Sequence, residues 1–159
     1  MPVSAQRVLA LSALRHGSSL MLFGLCWGFT VPNWPYPRMA LTAHIGATGN
    51  SMSLMLIGVI LCFEDVVKLK GAWKRIILQI SPWWLWASVL SECANAAWGA
   101  KGILPIAAQL SGSTGATAWQ EAIVTGAHAV GGLIYVACWG AVVHTLFTGV
   151  PAETVTKKE

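Results

Sequence analysis

The chain has 159 residues, of which 55% are hydrophobic and only 10% are charged. Because a soluble domain usually has about 25% charged residues, this composition excludes an ordinary water-soluble enzyme and indicates an integral membrane protein. The net charge is +4, but the basic residues form no long patch with interleaved aromatic side chains, so we expect no nucleic-acid partner.

Four apolar stretches are long enough to cross a membrane as helices. They cover about residues 8–31, 40–63, 76–100 and 119–147, and each exceeds the about 20 residues that a helix needs to cross about 30 Å of hydrocarbon. The predicted fold is therefore all-α. We expect a single domain, residues 1–159, built as an integral membrane four-helix bundle in contact with lipid.

The basic residues indicate how this bundle is oriented. Most of them fall on one side of the predicted bundle, namely Arg7, Arg15, Lys68, Lys70, Lys74, Arg75, Lys157 and Lys158. Only Arg38 and Lys101 fall on the other side. Since cytoplasmic segments are enriched in Lys and Arg, both termini and the loop 64–75 are predicted to be cytoplasmic.

The two outer connections differ in character. Residues 31–38 contain three prolines and cannot form a regular helix, so they predict a rigid hairpin. Residues 101–118 are small and rich in Gly, Ser and Thr, and they predict a long loop without regular structure. Loops of that length are usually functional or mobile.

The second predicted helix places His44 and Asn50 where the bilayer offers no water to hydrogen-bond them. From helix geometry, Asn50 projects about 120° away from His44 and lies about 9 Å further along. A ligand of His44 must therefore be wide and flat to reach Asn50. A porphyrin has this shape, imidazole is a natural haem ligand, and Gly46 and Gly49 leave room for a planar ring. The alternative is that both side chains only hydrogen-bond between helices.

The third predicted helix carries Glu92 and Asn95, which lie three residues apart and hence on one face. A carboxylate at this depth costs about 2.5–3.5 kcal/mol. Glu92 is therefore expected to be neutral or paired, and its role is either structural or functional.

The fourth predicted helix has Glu121 and His128 on one inward-facing stripe. Glu121 lies near the outer boundary at the level of His44, so the two side chains are candidates for a shared cavity. His128 is either a second ligand or, as we favour, a core histidine whose hydrogen bonds are satisfied.

Short motifs along nearly the whole chain resemble the hydroxylaminobenzene mutases, small bacterial membrane enzymes with four helices. The motifs are PRMALTAH at 37–44, GN at 49–50, AN at 94–95, LPIA at 104–107 and WQE at 119–121. The RHG at 15–17 and the spacing from His44 to Asn50 also resemble styrene oxide isomerase, a more distant relative.

The second resemblance implies a cofactor and an assembly. Styrene oxide isomerase is a trimer whose ferric haem b is bound by the histidine that matches His44, and the asparagine that matches Asn50 holds the substrate beside the iron. Carried over, His44 is the metal ligand and Asn50 positions the substrate. Gly46, Gly49 and Arg38 then belong to the haem site, and the protein is a homotrimer in the cytoplasmic membrane of a bacterium.

We therefore predict a haem-dependent isomerase that converts small aromatic substrates, aryl hydroxylamines such as hydroxylaminobenzene, to aminophenols in the degradation of aromatic compounds. The hydroxyl group moves from nitrogen to a ring carbon, with iron as Lewis acid. Glu121 or Glu92 moves a proton, and Asn95 completes the candidate catalytic set. The alternatives are a styrene-oxide-type epoxide isomerase, a non-catalytic haem-binding electron-transfer subunit, and a structural or transport protein without a cofactor.

Overall fold

The structure is a computed structural model that describes residues 3–148. This part of the chain is helical and contains no strand, so the predicted all-α class is confirmed. The helices are α1 (Ala5–Gly28), α2 (Pro37–Cys62), α3 (Ala72–Trp98), α4 (Pro105–Leu110) and α5 (Ala118–Thr148). The predicted count of four is not met, because the short helix α4 forms inside the segment that we predicted to be a loop. Pro105 stands at its first turn, where the missing N–H of proline costs no helical hydrogen bond.

The helices α1, α2 and α5 are long and apolar enough to cross a membrane. The protein is therefore a multi-pass membrane protein. Helix α3 is 27 residues long, but serine, tryptophan and charged side chains make it less apolar, so a fourth membrane crossing stays a prediction. Lys157 and Lys158, which contribute to the predicted orientation, lie outside the described residues.

Helices α1 and α2 pack closely because glycine replaces larger side chains at their contacts. A Cβ atom on Gly17 would lie 3.0 Å from the backbone nitrogen of Met55, and one on Gly58 would lie 2.9 Å from the carbonyl oxygen of Ala10. Small residues permit this approach in membrane helices, where apolar burial gives little driving force. The contact fixes the rotation of α2, so that His44 faces α1.

Helices α3 and α5 form a second close pair. Ser88 Oγ donates a hydrogen bond to the carbonyl oxygen of Ala127 over 2.9 Å, and Gly131 leaves room for the same serine side chain. Trp139 Nε1 donates to Ser53 Oγ over 2.9 Å and thereby ties α5 to α2. Three helices, α2, α3 and α5, thus surround one space in the interior.

A buried lysine joins the first turn of α3 to the last turn of α5. The side chain of Lys74 is only 5% exposed. Its ammonium donates to Thr145 Oγ1 over 3.0 Å and to His144 Nδ1 over 2.9 Å. Because an ammonium only donates, His144 accepts through Nδ1. The two bonds of Lys74 tie the ends of α3 and α5 together.

The opposite end of α3 is closed by a glycine in the left-handed conformation. Gly99 has φ = 71° and donates its N–H to the carbonyl oxygen of Asn95 over 3.0 Å. A Cβ atom there would lie 2.6 Å from Cε2 of Tyr36. Tyr36 in turn donates its N–H to the carbonyl oxygen of Ala96 over 3.0 Å. The first outer connection is thus anchored on the end of α3.

Candidate functional site

A cavity of about 260 Å³ lies between α2, α3 and α5. Its walls are formed by Asn50, Leu85, Ser88, Glu92, His128, Gly131, Gly132, Tyr135 and Val136. An apolar lining with a few converging polar groups is typical of a site for a small organic molecule. The side chain of Val136 is 72% exposed, so the cavity is open on this side of α5.

The cavity contains a carboxyl and an imidazole in direct contact. Glu92 Oε1 lies 2.7 Å from His128 Nε2, and the two side chains are 12% and 16% exposed, respectively. Between residues 3 and 148 this is the only contact between acidic and basic side chains within 4.0 Å. His128 Nδ1 lies 2.8 Å from the carbonyl oxygen of Val124. Since a carbonyl only accepts hydrogen bonds, Nδ1 carries a hydrogen.

The second carboxyl oxygen of Glu92, Oε2, differs from the first in its hydrogen bonding. Oε2 is buried and has no hydrogen-bond partner among residues 3–148. A Cβ atom on Gly46 would lie 2.6 Å from it, so the absence of a side chain at position 46 makes room for this oxygen. Leaving a carboxyl oxygen buried without a partner costs about 1–3 kcal/mol. Oε2 is therefore the atom of the pair that can take part in a hydrogen bond with a bound molecule.

Local packing explains why these two side chains meet. Gly131 contacts Ser88 without a Cβ atom of its own, and the Ser88 hydroxyl is bonded to the backbone of α5. Glu92 follows Ser88 by four residues, about one turn of α3, and His128 precedes Gly131 by three residues, about one turn of α5. The close crossing at Ser88 and Gly131 therefore places the carboxyl and the imidazole side by side.

His44 lies on another face of α2. Its Nδ1 is 2.8 Å from the carbonyl oxygen of Gly24, so Nδ1 carries a hydrogen and Nε2 keeps its lone pair. This is the tautomer in which Nε2 can bind a metal while Nδ1–H is held by a second partner. A Cβ atom on Gly28 would lie 2.8 Å from the ring. The ring borders an apolar groove of about 420 Å³, lined also by Leu25, Phe29, Val31, Pro32 and Leu41.

The other predicted haem contacts are spread around α2. Gly46 faces Glu92, whereas a Cβ atom on Gly49 would meet nothing within 4 Å. Arg38 is exposed and lines a groove of about 290 Å³ beside α4. Within one chain the structure thus brings Asn50 to Glu92 but does not bring His44 into the cavity that Asn50 lines.

Two other predicted catalytic residues bond to the backbone of the outer loop. Asn95 is fully buried. Its Oδ1 accepts the N–H of Ala100 over 2.6 Å, and its Nδ2 donates to the carbonyl oxygen of the same residue over 3.2 Å. Glu121 accepts the N–H groups of Lys101 and Gly102 over 2.9 Å each, and that of Ala116 over 3.2 Å. Neither side chain lines the cavity, and their catalytic roles stay predictions.

The structure shows the hydrogen bonds of His128, for which the sequence leaves two interpretations. Its place on the inward stripe of α5 was visible, and we favoured a satisfied core histidine. The structure shows that its hydrogen bonds are indeed satisfied, but that one of them goes to Glu92. The spacing of residues within α3 and within α5 does not predict which face of α3 packs against this stripe of α5.

The described residues contain no cluster of side chains suited to binding a metal ion without a cofactor. No group of three or more His, Cys, Asp or Glu side chains able to hold one occurs between residues 3 and 148. A haem needs only one axial ligand from the protein, and the free Nε2 of His44 beside an apolar groove fits that requirement.

The fold and the cavity define a class of protein: a helical membrane protein with a partly buried Glu–His pair at a cavity large enough for a small molecule. The chain belongs to the styrene oxide isomerase family, whose model, described as "Styrene oxide isomerase", matches residues 9–147. It is also 33% identical over 122 residues to hydroxylaminobenzene mutase HabB of Ectopseudomonas oleovorans, covering 76% of this chain and 71% of that protein. No solved structure matches it significantly.

These matches bear out the resemblance seen in the sequence. Both names denote isomerases, and the chain is accordingly an enzyme of the isomerase class.

Proposed function

We propose that the protein is a haem-dependent mutase of the bacterial cytoplasmic membrane that converts aryl hydroxylamines, with hydroxylaminobenzene as the reference substrate, to aminophenols. The observation that carries this proposal is the cavity in which Asn50 meets the Glu92–His128 pair, in a chain 33% identical to a hydroxylaminobenzene mutase. A cavity of about 150 Å³ holds benzene. A volume of about 260 Å³ therefore suffices for a single substituted ring.

The chain's own residues supply positioning and proton transfer. The amide of Asn50 can both donate to and accept from a hydroxylamine group, which orients the N–O bond in the cavity. Of the two candidate carboxyls, Glu92 is the one that lines the cavity, so it moves the proton. The apolar walls keep bulk water away from the cationic aryl intermediate.

His44 would hold the haem through Nε2, with Arg38 available to pair with a carboxylate. When bound, the haem iron would supply a Lewis acid for the hydroxyl oxygen. Since His44 and Asn50 face different sides of α2, a homo-oligomer is part of the proposal. In the trimer that the resemblance implies, the His44 groove of one protomer would meet the open side of the cavity in the next.

An epoxide isomerase is the second candidate, and the family match favours it. Opening an epoxide and shifting a hydrogen would use the same oxygen-binding and positioning groups. Purified protein offered hydroxylaminobenzene and styrene oxide in parallel separates the two. Aminophenol formation supports the mutase, and phenylacetaldehyde formation alone would replace it with the epoxide isomerase.

The haem and the cavity are tested together with two variants of α2. His44→Ala should lose both the Soret absorption and turnover, because no other side chain in the groove offers an imidazole. Asn50→Ala should keep the Soret band and lose most turnover, because only substrate orientation is removed. Absorption spectra of detergent-purified protein, expressed with ample haem supply, and product chromatography give the two readouts.

Circular dichroism verifies that both variants stay helical. If haem-free protein still forms aminophenol, the role of haem iron is overturned and the mutase activity is supported. Full turnover in Asn50→Ala would remove this residue from the site.

A further inference from the structure

The Glu92–His128 contact allows only one proton between its two heavy atoms. Nδ1 of His128 is committed to the carbonyl oxygen of Val124, so the hydrogen bond across 2.7 Å involves Nε2 and Oε1 alone. Either the carboxyl is protonated and donates to a neutral imidazole, or an imidazolium donates to a carboxylate. The pair has no net charge in both arrangements, which suits its burial in the membrane.

The surroundings leave this proton mobile within the pair. Among the cavity-lining residues the only other titratable side chain is Tyr135 of α5, and Cys93 follows Glu92 in α3. Helix α2 contributes Asn50 and no charged group to the walls. No fixed charge among the residues that line the cavity therefore holds the proton on one partner, and a polar substrate in the cavity can shift it.

The second oxygen of Glu92, Oε2, is the atom through which the pair can contact a substrate. Oε1 is held by His128, whereas Oε2 is buried without a partner among residues 3–148, in the same cavity as Asn50. A carboxyl group in this arrangement can exchange a proton with a substrate through its free oxygen. The imidazole bonded to the other oxygen then balances the charge of the carboxylate.

We propose that Glu92 and His128 form a proton-sharing dyad, in which Glu92 Oε2 is the acid–base atom toward the substrate and His128 is a positioning residue that balances the charge of Glu92. This assignment deepens the proposed function and, for its catalytic part, rests on it. The hydroxyl group leaves the nitrogen and bonds to the ring carbon with its own hydrogen. With the shared proton on His128 Nε2, Glu92 Oε2 then takes the proton that this ring carbon loses.

Glu92 Oε2 then returns this proton to the nitrogen, so the nitrogen gains the hydrogen that the ring carbon lost. No atom, proton or electron is gained or lost overall, so the dyad needs no external oxidant or reductant. It returns to its starting state in each cycle.

The charge state of the dyad is tested by infrared spectroscopy on the purified full-length protein. The variants are His128→Gln, Glu92→Gln and the double variant, with His144→Gln as the matched histidine control in the same helix. Without the imidazole, burial favours the neutral carboxyl. An acid carbonyl band that appears or shifts in His128→Gln, and is absent from both variants that lack Glu92, is the expected result. His144→Gln should leave this band as in the wild type.

The catalytic part is tested by steady-state kinetics with hydroxylaminobenzene. General acid–base catalysis contributes about 100-fold or more, so Glu92→Gln and His128→Gln should lower kcat by at least about that factor. KM should change little, because Asn50 still binds the substrate. His144→Gln should turn over at the wild-type rate.

The two readouts separate the two proposals. A wild-type infrared spectrum in His128→Gln, or wild-type kcat in both dyad variants, would overturn the dyad. If the expected infrared band is found but the wild-type protein forms no aminophenol, the shared proton is supported and the proposed mutase activity is overturned. Since each of the two single variants reports independently, misfolding of one leaves the other as the test.

Discussion

At the residue scale, two glutamates of the same chain show how surroundings decide a role. Glu92 has one buried oxygen beside a cavity that finds no hydrogen-bond partner in the described part of the chain. Glu121 has both oxygens engaged by backbone N–H groups of the outer loop. Hydrogen bonds from backbone N–H groups to a carboxylate are charge-assisted and strong. Glu121 therefore fastens a loop, whereas Glu92 has one oxygen that is not used for a bond to the backbone.

The variant Glu121→Gln should loosen the outer loop. The amide replaces one acceptor oxygen with a donor, so at least one backbone N–H loses its partner. The expected result is faster tryptic cleavage after Lys101 in detergent, with a smaller loss of turnover than in Glu92→Gln. Cleavage after Lys70, at the other end of α3, is the internal control. Unchanged cleavage after Lys101 would show that the loop does not depend on Glu121.

At the element scale, helix pairs with glycine at their crossings position the site. The α1/α2 pair orients His44 toward α1, and the α3/α5 pair brings Glu92 to His128. Asn95 belongs to this scale as well, because it bonds Ala100, the second residue after the end of α3. Asn95 was predicted to be catalytic, but its observed hydrogen bonds close the end of α3.

A paired glycine experiment tests the α1/α2 crossing. In Gly17→Ala the new Cβ atom would lie 3.0 Å from backbone atoms of Ser51 and Met55, which cannot yield as a side chain can. Overpacking of this kind costs about 1–3 kcal/mol, so the melting temperature in detergent should fall. In Gly140→Ala nothing lies within 4 Å of the new atom, and stability should stay equal or rise slightly. Equal melting of both variants would contradict the close crossing.

At the scale of the whole molecule, α3 is the element that determines the topology. It connects the segment after α2 to the outer loop, and its 27 residues measure about 40 Å. That length exceeds the hydrocarbon core of about 30 Å. If α3 crosses, then the segments on its two sides lie on opposite faces of the membrane, as the distribution of basic residues predicts.

Labelling with a membrane-impermeant maleimide tests this crossing in intact cells. In a background where Cys26, Cys62, Cys93 and Cys138 are replaced by alanine, Thr114→Cys should react from outside. Lys70→Cys should react only after permeabilisation, because we expect its loop in the cytoplasm. Labelling of both positions from outside would exclude α3 as a membrane-spanning helix.

The helical class and the four long helices follow from the sequence alone, because a backbone in lipid must satisfy its own hydrogen bonds and long apolar stretches can do so only as helices. The polar residues of α2 and α3 could be identified as candidates for the same reason. Helix α4 was missed because six residues are too few to show a helical period against a background rich in small residues.

Which polar residues meet was decided by the tertiary structure. The spacing of His44 and Asn50 already separates their side chains by about 120° around α2, but it does not show which neighbouring helix each side chain meets. The neighbours of Glu92, namely Gly46 and His128, come from two other helices. Helical periodicity defines the faces of each helix separately, whereas the rotation of one helix against another depends on side-chain packing across the interface. The sequence therefore determined the membrane bundle and its candidate groups, and only packing decided that Glu92 faces His128.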